Sequence, residues 1–361
     1  MTLLLTVILV ALVFEYINGF HDTANSIATV VSTKVLTPRQ AVVLAAGTNL
    51  LGAMWGTAVA KTISSGLVDS KMVAMTSDII ICALVGAIIW NLLTWWFGLP
   101  SSSSHALIGG LCGSALAASK NDWRVIIWSQ PDPHHWYQGK GMLWKVIVPM
   151  VTSPIAGLIL GFIVMALLYL LLQKARPLWV NRWFGRVQMC SAGFMGVMHG
   201  TNDAQKTMGI IALTLFAATK AGHLDGAPDW LAFLRTPEDP GKVGIALWIK
   251  ITCAVVMAAG TALGGWRIIK TLGHKMVKLH PINGFAAETS SATVILAATH
   301  FGIPVSTTHN ISAAIMGVGA ARRLNAIKWT VVERMVWAWI LTIPVSGLLA
   351  YAFVRLLRAD G

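Results

Sequence analysis

Long apolar runs separated by short polar stretches outline the 361-residue chain. In the first half they cover Thr2 to about Thr33, Gln40–Ala60, Asp78–Phe97 continuing to Ala118, and Val146–Leu172. In the second half they cover about Val187–Ala218, Val243–Gly265, Gly284–His300 continuing to Ala321, and Thr330–Leu357. Runs of this length predict helices in a bilayer, because lipid offers no partners to an open strand's backbone. The pattern amounts to roughly 10–12 membrane segments.

Polar interruptions recur in the same order in both halves. Asn18-Gly-Phe-His-Asp-Thr-Ala-Asn25 and His199-Gly-Thr-Asn-Asp-Ala-Gln-Lys206 each set a Gly three residues before an Asp inside an apolar run. Gly weakens a helix by about 1 kcal/mol relative to Ala. A lone carboxylate at mid-bilayer costs about 2.5–3.5 kcal/mol on the insertion scale. The pair therefore predicts a broken helix in each half. Ala45–Thr48 recurs as Ala258–Thr261, Phe97–His105 as Phe301–His309, and Pro154–Leu158 as Pro344–Leu348. The last pair, with Thr152 and Thr342 just before, predicts interruptions in the two final runs.

Composition fits this outline. The chain is 56% apolar and 11% charged, with a mean hydropathy of +0.69, so an integral membrane protein is expected. The net charge of +13 would point to nucleic acid in a soluble protein. Here Lys and Arg cluster in short loops, so topology accounts for them and no nucleic-acid partner is expected. Tryptophans near segment ends, among them Trp95, Trp96, Trp128 and Trp183, fit interfacial anchors. Cys82, Cys112, Cys190 and Cys253 stand singly, without metal-ligand or disulfide spacing. The first run lacks a basic leader and carries Glu15, so it is expected to be retained.

Charge placement orients the chain. Lys174, Arg176, Arg182 and Arg186 place residues 174–186 in the cytoplasm as a basic linker between residues 1–173 and 187–361. Arg267–Lys278 and Arg322–Lys328 are also inside, so Gly284–Ala321 forms a re-entrant hairpin with its tip at Pro304–His309. The first half reads with opposite polarity, and both termini fall outside. The expected fold is an all-α integral membrane protein of two inverted-topology repeats, with broken helices and re-entrant hairpins.

A helix starting in mid-membrane presents free N–H groups and partial positive charge, a ready anion site. Ser101–Ser104 and Ser306–Thr308 supply caps and hydroxyl donors at two such starts. Ser102, Ser103, Ser104, Ser306, Thr307 and Thr308 are thus candidates for holding a small tetrahedral oxyanion. Asp22 and Asp203 would repel that anion unless a cation or proton lies between. With Asn25, Asn202 and unwound backbone carbonyls they form an oxygen set suited to Na⁺ or H⁺, the basis of symport. Glu15, seven residues before Asp22 on the same helix face, and Glu288 are further candidates, as proton carriers or as buried structural acids. Lys206 replaces Asn25 in the second copy, and could pair with Asp203, contact the anion or reach the interface. His105 and His309 follow the clusters directly, and the plain expectation is a hydrogen bond to the turn. His134 and His135 are weak metal candidates in an external loop.

The two Asp segments, Trp90-Asn91 with Gly98–His105, and Pro304–His309 resemble the signature segments of the inorganic phosphate transporter (PiT) family. The similarity extends over essentially the whole chain and is closest to the bacterial low-affinity members. Some of these carry a long hydrophilic insertion where this chain has only Lys220–Lys242. The resemblance implies a secondary transporter in a bacterial plasma membrane, importing inorganic phosphate by symport with Na⁺ or H⁺ and with no cofactor. The cargo is free phosphate or a neutral metal–phosphate complex, and a homodimer is left open. It also implies phosphate on the Ser/Thr tips and the coupling ion on the signature Asp and Asn residues.

Three alternatives remain at this stage. A sulfate permease would share the fold. A channel would carry anion without coupling. An intramembrane hydrolase would use Ser104 or Thr308 with His105 or His309, which duplication of the motif argues against.

Overall fold

The computed structural model describes residues 2–65, 67–69, 72–130, 139–226, 228–236 and 244–359. His134 and His135 lie outside the described residues. Within them the regular structure is helical, apart from isolated bridges pairing Val68 with Ile126 and Gln130 with Lys140. The first half comprises α1 (Thr2–Ser32), α2 (Pro38–Ala53), α3 (Ala58–Ser65), α4 (Ser77–Phe97), α5 (Ser103–Ala118) and α6 (Val148–Leu172). The second comprises α7 (Pro177–Lys220), α8 (Leu247–Leu263), α9 (Trp266–Lys270, running into a π turn at Thr271–Lys275), α10 (Pro281–His300), α11 (Thr307–Arg322) and α12 (Trp329–Ala359).

Local chemistry fixes many of these ends. Thr37 and Gln40 form a reciprocal capping box at α2, with Pro38 at the first helical position, where its missing N–H is not needed. Gly98 ends α4 in the left-handed region at φ 65°, which glycine adopts without a Cβ penalty. Pro154 and Pro344 lie inside α6 and α12 without ending them. The predicted interruptions there are absent. In a bundle of packed helices, neighbouring groups can offset the hydrogen bond that an internal proline removes.

The halves pack reciprocally. α6 lies on α11 as α12 lies on α5, and α1 lies on α8 as α7 lies on α2. Each half also folds a helical hairpin, α4–α5 and α10–α11, with its tip at the Pro-Ser segment. Among the described residues, four helices are long and apolar enough to cross a membrane: α1, α4, Leu143–Leu172 and Trp329–Arg358. Leu247–Leu263 with Trp266–Lys275, bent by 59°, makes a fifth. α5 and α11, at 16 residues each, are about 24 Å long and fall short of a bilayer core of about 30 Å. They are buried on nearly every face. Residues 177–186 of the expected linker are the first turns of α7.

The breaks expected at the Asp segments are absent as well. α1 and α7 run unbroken through Gly19–Asp22 and Gly200–Asp203, so neither Asp segment releases backbone carbonyls. The glycines serve close packing instead. A Cβ on Gly19 would overlap the Met257 carbonyl on α8, and one on Gly200 would overlap the Asn49 carbonyl on α2. Small residues at helix crossings let the backbones approach, which replaces the missing hydrophobic drive between helices in lipid.

The apolar core divides around this polar centre. On α1, Leu4–Phe14 join one cluster with α4, α5 and the end of α7, whereas Ala24–Val30 join another with α2, α10 and α11. On α7, Ala192–Met198 belong to the second cluster and Ala204–Leu215 to the first. The Asp segments lie at the junction.

Candidate functional site

α1 and α7 carry the carboxylates, and the first turns of α5 and α11 bring hydroxyls to them. Ser102 and Ser306 are the N-caps, each accepting from the backbone N–H of the following His at 3.2 Å. This fixes the next two side chains of each tip. Ser103 Oγ lies 2.5 Å from Asp22 Oδ2 and 2.6 Å from Asn18 Oδ1, so its single proton serves one of them at a time. Thr308 donates to Asp22 Oδ1 at 3.3 Å and Thr307 to Asp203 Oδ2 at 2.9 Å. Asn25 Nδ2 donates to Thr307 and Thr308 at 3.0 and 2.9 Å. Lys206 Nζ contacts Asp203 Oδ1 and Ser104 Oγ and donates to the Val305 carbonyl at 3.3 Å.

Two histidines complete the cluster, and neither was singled out in the sequence. His21 Nδ1 lies 2.7 Å from Asp22 Oδ1, its other nitrogen 3.2 Å from Thr94 Oγ1. His199 Nε2 lies 3.0 Å from Asp203 Oδ2, while its Nδ1 meets Asn49 at 3.1 Å. They occupy different registers, one residue before Asp22 and four before Asp203, so aligning the repeats does not pair them. Ligand atoms of Asp22, His199 and Asp203 all lie within 4.8 Å of one another, a set that could hold a cation. Asp22 is 2% exposed and Asp203 0%. Two unit charges at that separation repel by on the order of 3 kcal/mol at an effective dielectric near 20, so a cation here is electrostatically favoured.

The other predicted residues fall around this cluster. Glu15 Oε2 accepts from Thr207 and, at 3.5 Å, from Asn18, which joins it to Asp22 through Ser103. Glu15 Oε1 is buried without a hydrogen-bond partner among the described residues. Glu288 belongs to a separate polar group, accepting from Thr29 at 2.5 Å, Gln188 at 3.0 Å and Ser191. Asn202 donates its amide nitrogen to Thr299 at 2.9 Å and the Ile303 carbonyl at 3.4 Å, and its Oδ1 is buried with no hydrogen-bond partner among the described residues. His105 and His309 do not bond their turns through their rings. The rings meet edge to face at 4.9 Å where the two hairpins touch, and His309 stacks on Trp339 at 4.2 Å. The caps are the preceding serines, which leaves the imidazoles free to pack between the halves.

The arrangement therefore combines two carboxylates, one ammonium and the hydroxyls of two helix N-termini in a single buried cluster. The model of the Phosphate transporter family matches residues 18–350. This chain belongs to that family. A probable low-affinity inorganic phosphate transporter of Bacillus subtilis is 41% identical over 360 residues, 98% of each chain. One of Rhizobium meliloti is 44% identical over 349 residues, 96% of this chain and 94% of its own. A solved structure described as the sodium-dependent phosphate transporter superposes with a TM-score of 0.79 over 99% of this chain at 22% identity, and shows a shared fold. The phosphate transporter family is a transport family, and Ser104 meets Lys206 rather than the histidine that the hydrolase alternative paired it with.

Proposed function

We propose that the chain is a secondary transporter that moves inorganic phosphate across a bacterial plasma membrane by symport with Na⁺ or H⁺. The two halves act as inverted repeats, with both termini external, and alternate access around the buried cluster. The observation that carries this reading is the shared use of hydroxyls: Ser103, Thr307 and Thr308 donate to Asp22 and Asp203.

A hydroxyl has one proton to give. While the carboxylates hold those protons, the tips cannot donate to an oxyanion, and the carboxylates repel it. A cation on Asp22 satisfies the carboxylate and frees Ser103 and Thr308 to turn to phosphate. The helix N-termini of α5 and α11 then add favourable partial charge. Cation and anion thus each make the other's site, which couples their movement. Asn25, donating to both Thr307 and Thr308, holds the second tip in register.

Phosphate is favoured over sulfate because HPO₄²⁻ carries a proton that an anionic Asp can accept. In proteoliposomes, phosphate uptake should follow an imposed Na⁺ or pH gradient and persist in about a twentyfold excess of sulfate. Full competition by sulfate would reject the cargo assignment. Uptake at channel rates with neither gradient would reject symport. Uptake that needs added divalent cation would identify a neutral metal–phosphate complex as the cargo; uptake in a chelator would identify free phosphate.

A further inference from the structure

We propose that the Lys206 ammonium is a built-in cation, occupying in the second half of the chain the place that a transported cation takes in the first. The inference rests on the reading of Asp22 as a ligand of the coupling cation.

The hydrogen bonds of the two halves match by register. Ser103 donates to Asp22 as Thr307 does to Asp203. Asn25 donates to Thr308 as Lys206 does to Ser104. Each carboxylate also has one imidazole nitrogen within 3.0 Å, His21 on Asp22 and His199 on Asp203. Against this shared pattern one difference stands out. In the second half an ammonium sits among a carboxylate oxygen of Asp203, the hydroxyl of Ser104 and the backbone carbonyl of Val305. Carboxylate, hydroxyl and carbonyl oxygens are the donors that a hard monovalent cation takes in transporter sites.

The first half has the corresponding carboxylate and hydroxyl oxygens and, at the matching position, Asn25 rather than a lysine. Asp22 Oδ1 and Thr308 Oγ1 are 3.3 Å apart. Asn25, 1% exposed, has a buried Oδ1 with no hydrogen-bond partner among the described residues. That unmatched acceptor is what a cation site needs before its ion arrives.

Charge fixes the number of ions. By formal charge, and leaving aside Glu15, which reaches Asp22 only through Asn18 and Ser103, Asp22 and Asp203 contribute two negative charges and Lys206 one positive. One monovalent cation neutralises the cluster before an anion enters, whereas an asparagine at position 206 would leave room and need for two. Arginine at 206 keeps the charge.

The test is the coupling ratio in proteoliposomes with the membrane potential held at zero and phosphate counted as one ionic form. For the cation that drives uptake, a tenfold gradient sustains about a tenfold phosphate gradient if one ion is coupled and about a hundredfold if two are. The expected result is one for the wild type and for Lys206→Arg, and two for Lys206→Asn, with the Hill coefficient for the cation rising from about one to about two. A wild-type ratio of two overturns the proposal, and so does a Lys206→Asn ratio still at one with a raised phosphate KM, which would make Lys206 an anion contact. Where Lys206→Asn does not fold, the wild-type ratio decides. Asp22→Asn probes the underlying reading separately: concentrative uptake with an unchanged ratio in that variant removes Asp22 from cation binding, whatever position 206 does.

Discussion

Gly200 offers a test in which two physical effects have opposite signs. By helix propensity, Gly200→Ala in the interior of α7 should stabilise by about 1 kcal/mol. By packing it should do the reverse. A Cβ there would overlap the Asn49 carbonyl oxygen and come 2.8 Å from Asn49 Cα. Carbon pairs rest at about 3.5–4.0 Å, so α2 must retreat by roughly 0.7–1.2 Å. The obstacle is backbone in the middle of a helix, which no rotamer change relieves. Overpacking of this kind costs about 1–3 kcal/mol, and the retreat also strains Asn49, whose side chain bonds Thr261 at 3.0 Å and meets His199. Packing should therefore win, by up to about 2 kcal/mol net. Gly47, on α2, is the matched control, since a Cβ there meets nothing within 4 Å. Thermal unfolding in detergent should show Gly200→Ala melting below the wild type and Gly47→Ala at or above it. A Gly200→Ala variant as stable as the wild type would refute the close-packing account of the Gly-x-x-Asp motif. Equal losses at both positions would do the same.

Further predictions concern charge and anchoring. Asp22→Asn and Asp203→Asn should each lose concentrative phosphate uptake about tenfold or more. Their stabilities should differ. Asp203→Asn leaves the buried Lys206 ammonium without its counter-ion, a loss of about 3–5 kcal/mol, whereas Asp22→Asn breaks no lysine pair. Detergent melting curves give that ranking, and the reverse order would contradict the ion-pair assignment. Glu288→Gln sets an amide donor against Thr29, Gln188 or Ser191, and should lower stability by about 1–3 kcal/mol while the cation dependence of uptake persists. Normal melting with lost cation dependence would move Glu288 into the coupling machinery. Arg267, whose guanidinium lies 4.3 Å from the Trp96 ring and 5.3 Å from Trp95, fastens α9 to the end of α4. Arg267→Met should cost about 1–2 kcal/mol in the same melting assay, and no loss would make that contact incidental.

The hairpin tips and the Asp segments differ in how much of them the sequence revealed, for physical reasons. The hairpin tips were legible because each cue there has a single meaning: a proline, a capping hydroxyl and a left-handed glycine all end or begin a helix. The Gly-x-x-Asp segments were not, because glycine marks both a break and a close approach, and the partner backbone that decides between them is some 150–240 residues away in sequence. The histidine rings of the tips, expected to bond their own turns, meet one another instead, which no local pattern predicts. The unbroken helices also change the chemistry. With no carbonyls released from α1 or α7, oxygen ligands must come from side chains and from the tip backbone, as Val305 already provides for Lys206. Coordination by side chains can be altered by a single substitution, while coordination by unwound backbone cannot. A continuous helix is therefore compatible with lysine in one half where the other keeps asparagine, which is the difference that the proposed single coupling ion rests on.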